Sequence, residues 1–303
     1  MRTRSIARAV VASGAFLLAG CQISIDEQDI FRPEWAGGAK FTIETRDGVL
    51  FDRNRPRPGL FEDIAVSFDN LTIPSGAGAL NVQIARTGGS GKPLIVYCGG
   101  TTWDIPNHGG LTAWSLTPYG DVALWDYPGY GLSKGDPGIA NIKTAADAIL
   151  ATLEKVKRTP DQKVVFWGQS LGGFVCAEMA EKAANPEALI LMTTAPSADA
   201  AARYLAPRFL RPFMRVRLAP AIAQYDIVRA LDGFDAPILV VGAGKDDILP
   251  ASLSRKLHDA LSAAGHHVTY AESPKRDHFD IIRDKDLAPV LNSFLNEASG
   301  KSG

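Results

Sequence analysis

Eight apolar runs of strand length constrain this chain most: 64–68, 80–85, 94–98, 122–125, 164–167, 188–192, 238–241 and 268–270, most of them continuous rather than alternating. A strand that is apolar at nearly every position has both faces covered, as in parallel sheets lined by helices on both sides. Helical spacing falls between the runs. Ile142, Ala145, Ile149, Leu153 and Val156 share one helix face, and Leu253, Leu257 and Leu261 share another. This alternation predicts an α/β architecture: a doubly wound, mostly parallel, eight-stranded sheet with ligands above the carboxyl ends of its strands. With 303 residues and 46% hydrophobic side chains, there is apolar material for one large core or two modest ones. Neither an internal repeat nor a second domain of comparable size is visible. Residues 60–298 are therefore expected to form the main domain. At about 196–232 two strands are separated by more chain than a crossover needs, and a small helical cap is expected there.

One strand end carries a chemical motif. Lys163-Val164-Val165-Phe166-Trp167 runs into Gly168-Gln169-Ser170-Leu171-Gly172-Gly173, and helix-compatible sequence follows to Ala184. A serine on a strained strand-to-helix turn leaves no room for Cβ atoms on its neighbours, which accounts for the flanking glycines. Ser170 is the candidate nucleophile, and the helix N-terminus just after it favours negative charge developing there.

A serine hydroxyl is a weak nucleophile and needs a base, which in turn needs an orienting acid, here expected in the order serine, acid, histidine. Of five histidines, His108 precedes the serine, His258 lies within a helix pattern, and His266 and His267 stand at the wrong end of the last strand. His278, in Arg276-Asp277-His278-Phe279, follows that strand and is the expected base. Asp246 and Asp247 both follow the run at 238–241, and the bare pattern leaves the choice between them open. For an oxyanion, the expected donors are the backbone N–H groups of Leu171 and of Gly100, in Gly99-Gly100-Thr101-Thr102-Trp103, with Thr101 the near competitor. Two phosphate-loop look-alikes fail: Asp247 stands where a dinucleotide fingerprint needs its third glycine, and Pro93 ends Gly88-Gly89-Ser90-Gly91-Lys92 where serine or threonine is required. No metal or organic cofactor is implied.

These features, with Asp126-Tyr127-Pro128-Gly129-Tyr130-Gly131-Leu132-Ser133-Lys134-Gly135, resemble the α/β-hydrolase superfamily, particularly its branch of serine hydrolases that includes acyl-protein depalmitoylases. The likeness runs from roughly Leu60 to Leu295. It implies two-step acyl transfer on small-molecule or acylated substrates, esters or thioesters, with peptide or amide cleavage as the nearest alternative. A non-catalytic surface lipoprotein using the fold as a binding platform is the rival from another class. In this superfamily the acid commonly stands four residues before a proline that opens the next helix, and Pro250 is four beyond Asp246; Asp246 is therefore the expected acid. The resemblance also makes Asp126 structural, in a turn supporting the oxyanion loop. Two departures stand out: Cys98 replaces the histidine usual before the oxyanion glycine, and Asp277 replaces the glycine usual before the histidine.

The N-terminal 20 residues have the layout of an export signal, with Arg2, Arg4 and Arg8, an apolar run at 9–19 and small residues before Cys21. That run falls short of the ~20 residues a spanning helix needs. Leu18-Ala19-Gly20-Cys21 resembles the lipobox of bacterial lipoproteins, implying cleavage before Cys21, lipidation of its thiol and a protein anchored in the bacterial cell envelope; a plain secretory signal is the alternative. Residues 21–59 are expected to be an irregular tether and strap, and 299–303 a disordered tail. Removing the three leader arginines from 32 basic residues leaves 29 against 33 acidic, a net charge of -4, which gives no reason to expect nucleic acid as a partner. Cys98 and Cys176 are expected to be small buried apolar residues, with a disulfide between them as the alternative. Arg203, Arg208, Arg211, Arg215 and Arg217 are expected on the solvated face of an amphipathic cap helix, with contact to anionic headgroups as the sharper alternative. Oligomeric state is left open.

Overall fold

The computed structural model describes residues 22–33, 44–46, 49–51, 66–89, 91–205 and 215–300. The leader, Cys21, much of the expected tether, Arg208, Arg211 and the last three residues lie outside them. Strands β1 (Gln22–Ile25), β2 (Glu44–Arg46) and β3 (Val49–Phe51) precede a sheet built from β4 (Val66–Ile73), β5 (Leu80–Thr87), β6 (Leu94–Cys98), β7 (Asp121–Trp125), β8 (Val164–Gln169) and β9 (Pro186–Met192). After β10 (Arg215–Leu218), which lies outside that sheet, β11 (Ile238–Ala243) and β12 (Val268–Ser273) complete it. The order is β12-β11-β9-β8-β6-β7-β5-β4. Among the described residues of this sheet, the β4–β5 and β5–β7 pairs are antiparallel and the other five are parallel. Seven of the eight apolar runs of the sequence fall in this sheet, and residues 66–68 of the first run open β4.

Among the described residues the α-helices are α1 (Glu27–Ile30), α2 (Gly110–Leu116), α3 (Ile139–Val156), α4 (Leu171–Lys182), α5 (Ala198–Leu205), α6 (Pro220–Ala223), α7 (Ile227–Ala230), α8 (Ala251–Ala263) and α9 (Ala288–Ala298). Successive β6 side chains serve opposite faces. Leu94, Val96 and Cys98 pack with Ile142 and Ile149 of α3, Val175 of α4 and Leu257 of α8. Ile95 and Tyr97 pack with Leu116 of α2 and with Leu291 and Phe294 of α9. Covering both faces explains why the central strands carry no polar alternation; each fully buried leucine or isoleucine contributes ~1.5–3 kcal/mol.

At the amino edge, Asp121 accepts bonds from the Thr87 N–H at 2.8 Å and Arg158 Nη2 at 2.9 Å, and Gln162 Nε2 lies 3.3 Å away. Burial pushes this carboxyl up, but those bonds outweigh it and hold the group below its ordinary value.

Three sequence expectations are corrected here. Cys98 and Cys176 form a disulfide, with Cα atoms 5.8 Å apart, because the last residue of β6 and the sixth residue of α4 face each other across a close helix–strand contact. The cap is not wholly helical: besides α5, α6 and α7 it contains β10, which carries Arg215 and Arg217. Nor is the segment after residue 21 irregular throughout, since β1 pairs in parallel with β10. Both sequences, Gln22-Ile23-Ser24-Ile25 and Arg215-Val216-Arg217-Leu218, alternate with a period of two, yet four residues are too few to stand out beside the longer runs. Asp26 caps α1 through a reciprocal capping box with Asp29. The strap is then tied down where Glu27 Oε2 accepts the Ile139 N–H at 2.8 Å and Phe31 is buried.

Candidate active site

The turn between β8 and α4 has Ser170 at φ 56° and ψ −120°. A residue with a side chain pays roughly 1–3 kcal/mol to sit in such a sparsely populated region, so its surroundings must hold it. They do so through the Ser170 N–H, which donates to Met192 O at 3.0 Å, and the Thr194 hydroxyl, which donates to Ser170 O at 2.9 Å. The glycines answer to contacts: a Cβ on Gly168 would lie 2.3 Å from Gly172 O, and one on Gly172 would lie 1.9 Å from Cys98 O. Leu171 opens α4, so its N–H belongs to the helix's first turn, where intrahelical acceptors are missing.

His278 stands in the loop after β12, at the same carboxyl edge. Its Nδ1 is 2.7 Å from Asp246 Oδ2, and both residues are buried. The other carboxylate oxygen of Asp246 accepts the N–H groups of Ile248 at 2.9 Å and Leu249 at 2.7 Å, which fixes its rotamer. Asp247 is exposed. The remaining histidines lie elsewhere: His108 is 3.7 Å from Asp104, His258 pairs with Asp259, His266 meets Phe234 O, and His267 lies 4.0 Å from Glu297.

The loop after β6 comes up against the nucleophile. A Cβ on Gly100 would sit 3.3 Å from Ser170 Cβ. Tyr127 Oη donates to Gly99 O at 2.8 Å, and the Cys98–Cys176 disulfide joins the residue before Gly99 to the helix that begins at Leu171. Gly100 and Leu171, the two expected donors, are thus carried on segments held against one another.

Asp126 lies beneath this loop. Its carboxylate accepts the Ile105 N–H at 2.7 Å, Asn81 Nδ2 at 2.8 Å and the Leu132 N–H at 3.0 Å, and Gly131, at φ 51°, brings the backbone so close that a Cβ would lie 2.2 Å from Asp126 Oδ2. Burial pushes Asp126 up to about 6 although these bonds pull the other way. Its partners are backbone and amide groups that shape the turn.

One polar residue in the site was not singled out from the sequence. Gln169, buried, accepts the Tyr97 hydroxyl at 2.7 Å and donates through Nε2 to His278 O at 2.8 Å. The residue before the nucleophile therefore fixes the backbone of the histidine loop. Burial pushes the Tyr97 phenol far above its ordinary value, so it remains a donor. A polar side chain at the variable position of G-x-S-x-G was the available signal. Among the described residues, no cluster of histidine, cysteine, aspartate and glutamate could hold a metal ion.

Comparison with known proteins bears on the fold. A family model described as serine aminopeptidase, S33, matches residues 111–223. An uncharacterized protein of Mycobacterium tuberculosis is 28% identical over 217 residues, covering 70% of this chain and 73% of the relative. An uncharacterized membrane protein of Saccharomyces cerevisiae is 26% identical over 170 residues, 56% of this chain and 58% of the relative. Among solved structures, an esterase of Pyrococcus furiosus superposes with a TM-score of 0.58 at 12% identity, covering 77% of this chain and 93% of its own. An alpha-beta hydrolase from Vibrio vulnificus gives 0.58 at 18% identity, covering 76% and 80%. The eight-stranded sheet with its flanking helices is the α/β-hydrolase fold that these neighbours share.

Proposed function

We propose that this protein is a serine hydrolase that cleaves a carboxylic ester or thioester through an acyl-enzyme on Ser170. The observation that carries the proposal is the constellation at the carboxyl edge: a strained serine, a buried His278–Asp246 pair at 2.7 Å, and Gln169 tying the histidine loop to the serine turn. A proton on Nδ1 faces the Asp246 carboxylate, which leaves Nε2 as the base. His278 takes the Ser170 proton as Oγ attacks the acyl carbon. The oxyanion is held by the N–H groups of Leu171 and Gly100, and the proton on His278 passes to the leaving group. Water, activated by the same imidazole, then releases the acid. None of these steps calls for a metal or an organic cofactor.

The esterases among the structural neighbours support the ester reading. The serine aminopeptidase description of the matching family supports peptide or amide cleavage as the second reading. We further propose that the protein is exported and anchored by lipid on Cys21, with the sequence Leu18-Ala19-Gly20-Cys21 as support. Among the described residues no helix is long and apolar enough to cross a membrane. The likeness to depalmitoylases suggests acylated substrates. Turnover of a short activated ester, a thioester and an aminoacyl anilide tests the reading. The ester or thioester should be hydrolysed, with a loss of several orders of magnitude in Ser170→Ala and in His278→Ala. A folded wild-type chain active on the anilide alone would select the peptidase reading, and one inert to all three would favour the binding platform.

A further inference from the structure

The tether and the cap meet through a polarised strand pair. In the parallel register Gln22 lies opposite Arg215 and Ile25 opposite Leu218. Arg215 and Arg217 are exposed, while Val216 and Leu218 are half-buried and Leu218 packs against the main core. Both arginines therefore project from the outer face of β10. The acidic residues Asp26, Glu27 and Asp29 follow the other end of β1, ~10 Å or more along the strand from Arg215. Gln22 is one peptide unit, ~3.8 Å, from Cys21, so any acyl chain on that cysteine starts beside the basic end of the pair.

This pair belongs to the side of the molecule that holds the site. The cap departs from the carboxyl end of β9, and its Tyr225 stacks on Phe174, four residues beyond Ser170, with ring centroids 5.3 Å apart. Among the described residues three large apolar side chains are exposed: Leu132 at 66%, Phe279 at 58% and Val290 at 36%. The two most exposed stand in the loops that follow β7 and β12. Those strands run parallel through β6, β8, β9 and β11, so both loops emerge at the edge where Ser170 and His278 lie. Exposed apolar groups at that edge, together with a basic strand in the cap that departs from it, suit a surface with anionic headgroups over an apolar interior.

We infer that the carboxyl edge, with Arg215, Arg217, Leu132 and Phe279, rests on an anionic lipid membrane, and that the site takes an acyl ester or thioester carried by that membrane. The inference rests on the hydrolase and lipid-anchor readings above, but the surface is tested apart from both. The mature chain carrying Cys21→Ser lacks only the acyl chains. Its binding is measured to vesicles of phosphatidylcholine, with and without phosphatidylglycerol, alongside turnover of a soluble ester.

Binding is expected to anionic vesicles, to fall with added salt, and to weaken ~30-fold in Arg215→Gln/Arg217→Gln, with soluble-ester turnover unchanged. Leu132→Ser should weaken binding further in that background. Lys163→Gln, at the amino edge before β8, should leave binding as it was. The inference is overturned if the unlipidated chain ignores anionic vesicles, if the arginine pair can be neutralised without effect, or if Lys163 matters as much as the arginines. Vesicle binding with no turnover of any ester would count against the hydrolase reading and leave the surface standing.

Discussion

At the scale of single residues, the sharpest distinction is between two adjacent aspartates. Asp246 meets His278 Nδ1 at 2.7 Å, while Asp247 is exposed. Asp246→Asn should leave the imidazole in the wrong tautomer and cost about 10⁴ in turnover, while Asp247→Asn should remain near wild type. Ester turnover and the melting temperature of both variants check this, and the reverse pattern in folded proteins would move the acid to Asp247. A second residue-scale expectation concerns Asp121, whose hydrogen bonds to Arg158, Thr87 and Gln162 outweigh burial and lower its pKa from 3.8. A carboxyl depressed in the folded state stabilises above its unfolded value and loses that contribution as pH falls through the folded one. Asp121→Asn should therefore lower the melting temperature most at neutral pH, with a gap to wild type that narrows below pH 3.8. A gap that stays constant into acid would show that the charge of Asp121 contributes nothing.

At the scale of elements, the serine turn works only because α4 can close on the end of β6. Gly172→Ala would put a methyl group 1.9 Å from Cys98 O and 2.6 Å from Gly99 O, both backbone atoms that cannot swing aside. Soluble expression or activity should be lost. Gly89→Ala, whose new Cβ would meet nothing nearer than the end of Lys92 at 4.0 Å, should change stability by less than ~0.5 kcal/mol. Equal behaviour of the two would mean that the turn is not sterically set. Elements of this kind were legible in the sequence for a plain reason. Val164 to Trp167 and the other central runs are apolar on both faces, and a glycine requirement leaves a visible pattern around Ser170. β1 and β10 were missed because their pairing depends on a partner about 190 residues away along the chain and on four-residue segments with little propensity of their own. The Cys98–Cys176 bridge was missed for a related reason: a strand end and a helix side were assigned correctly, and Gly172 was read as a close approach, but that the backbone it approaches is that of Cys98 is a tertiary fact that local patterns do not encode. Gln169 was passed over because its value lies in two distant partners, Tyr97 and the carbonyl of His278.

At the scale of the whole molecule, the parallel sheet brings to one edge residues that the chain separates widely. Ser170 follows β8, Asp246 follows β11, His278 follows β12 and Gly100 follows β6, and these strands run in one direction. The central claim is that this edge holds an activated serine. The direct measurement is mass-spectrometric detection of a fluorophosphonate adduct on the folded protein, since such probes label serines whose hydroxyl has been made nucleophilic by a neighbouring base. One adduct is expected, on Ser170, absent in Ser170→Ala and formed much more slowly in His278→Ala. A folded protein that forms no adduct, or that is labelled at another serine, would contradict the account.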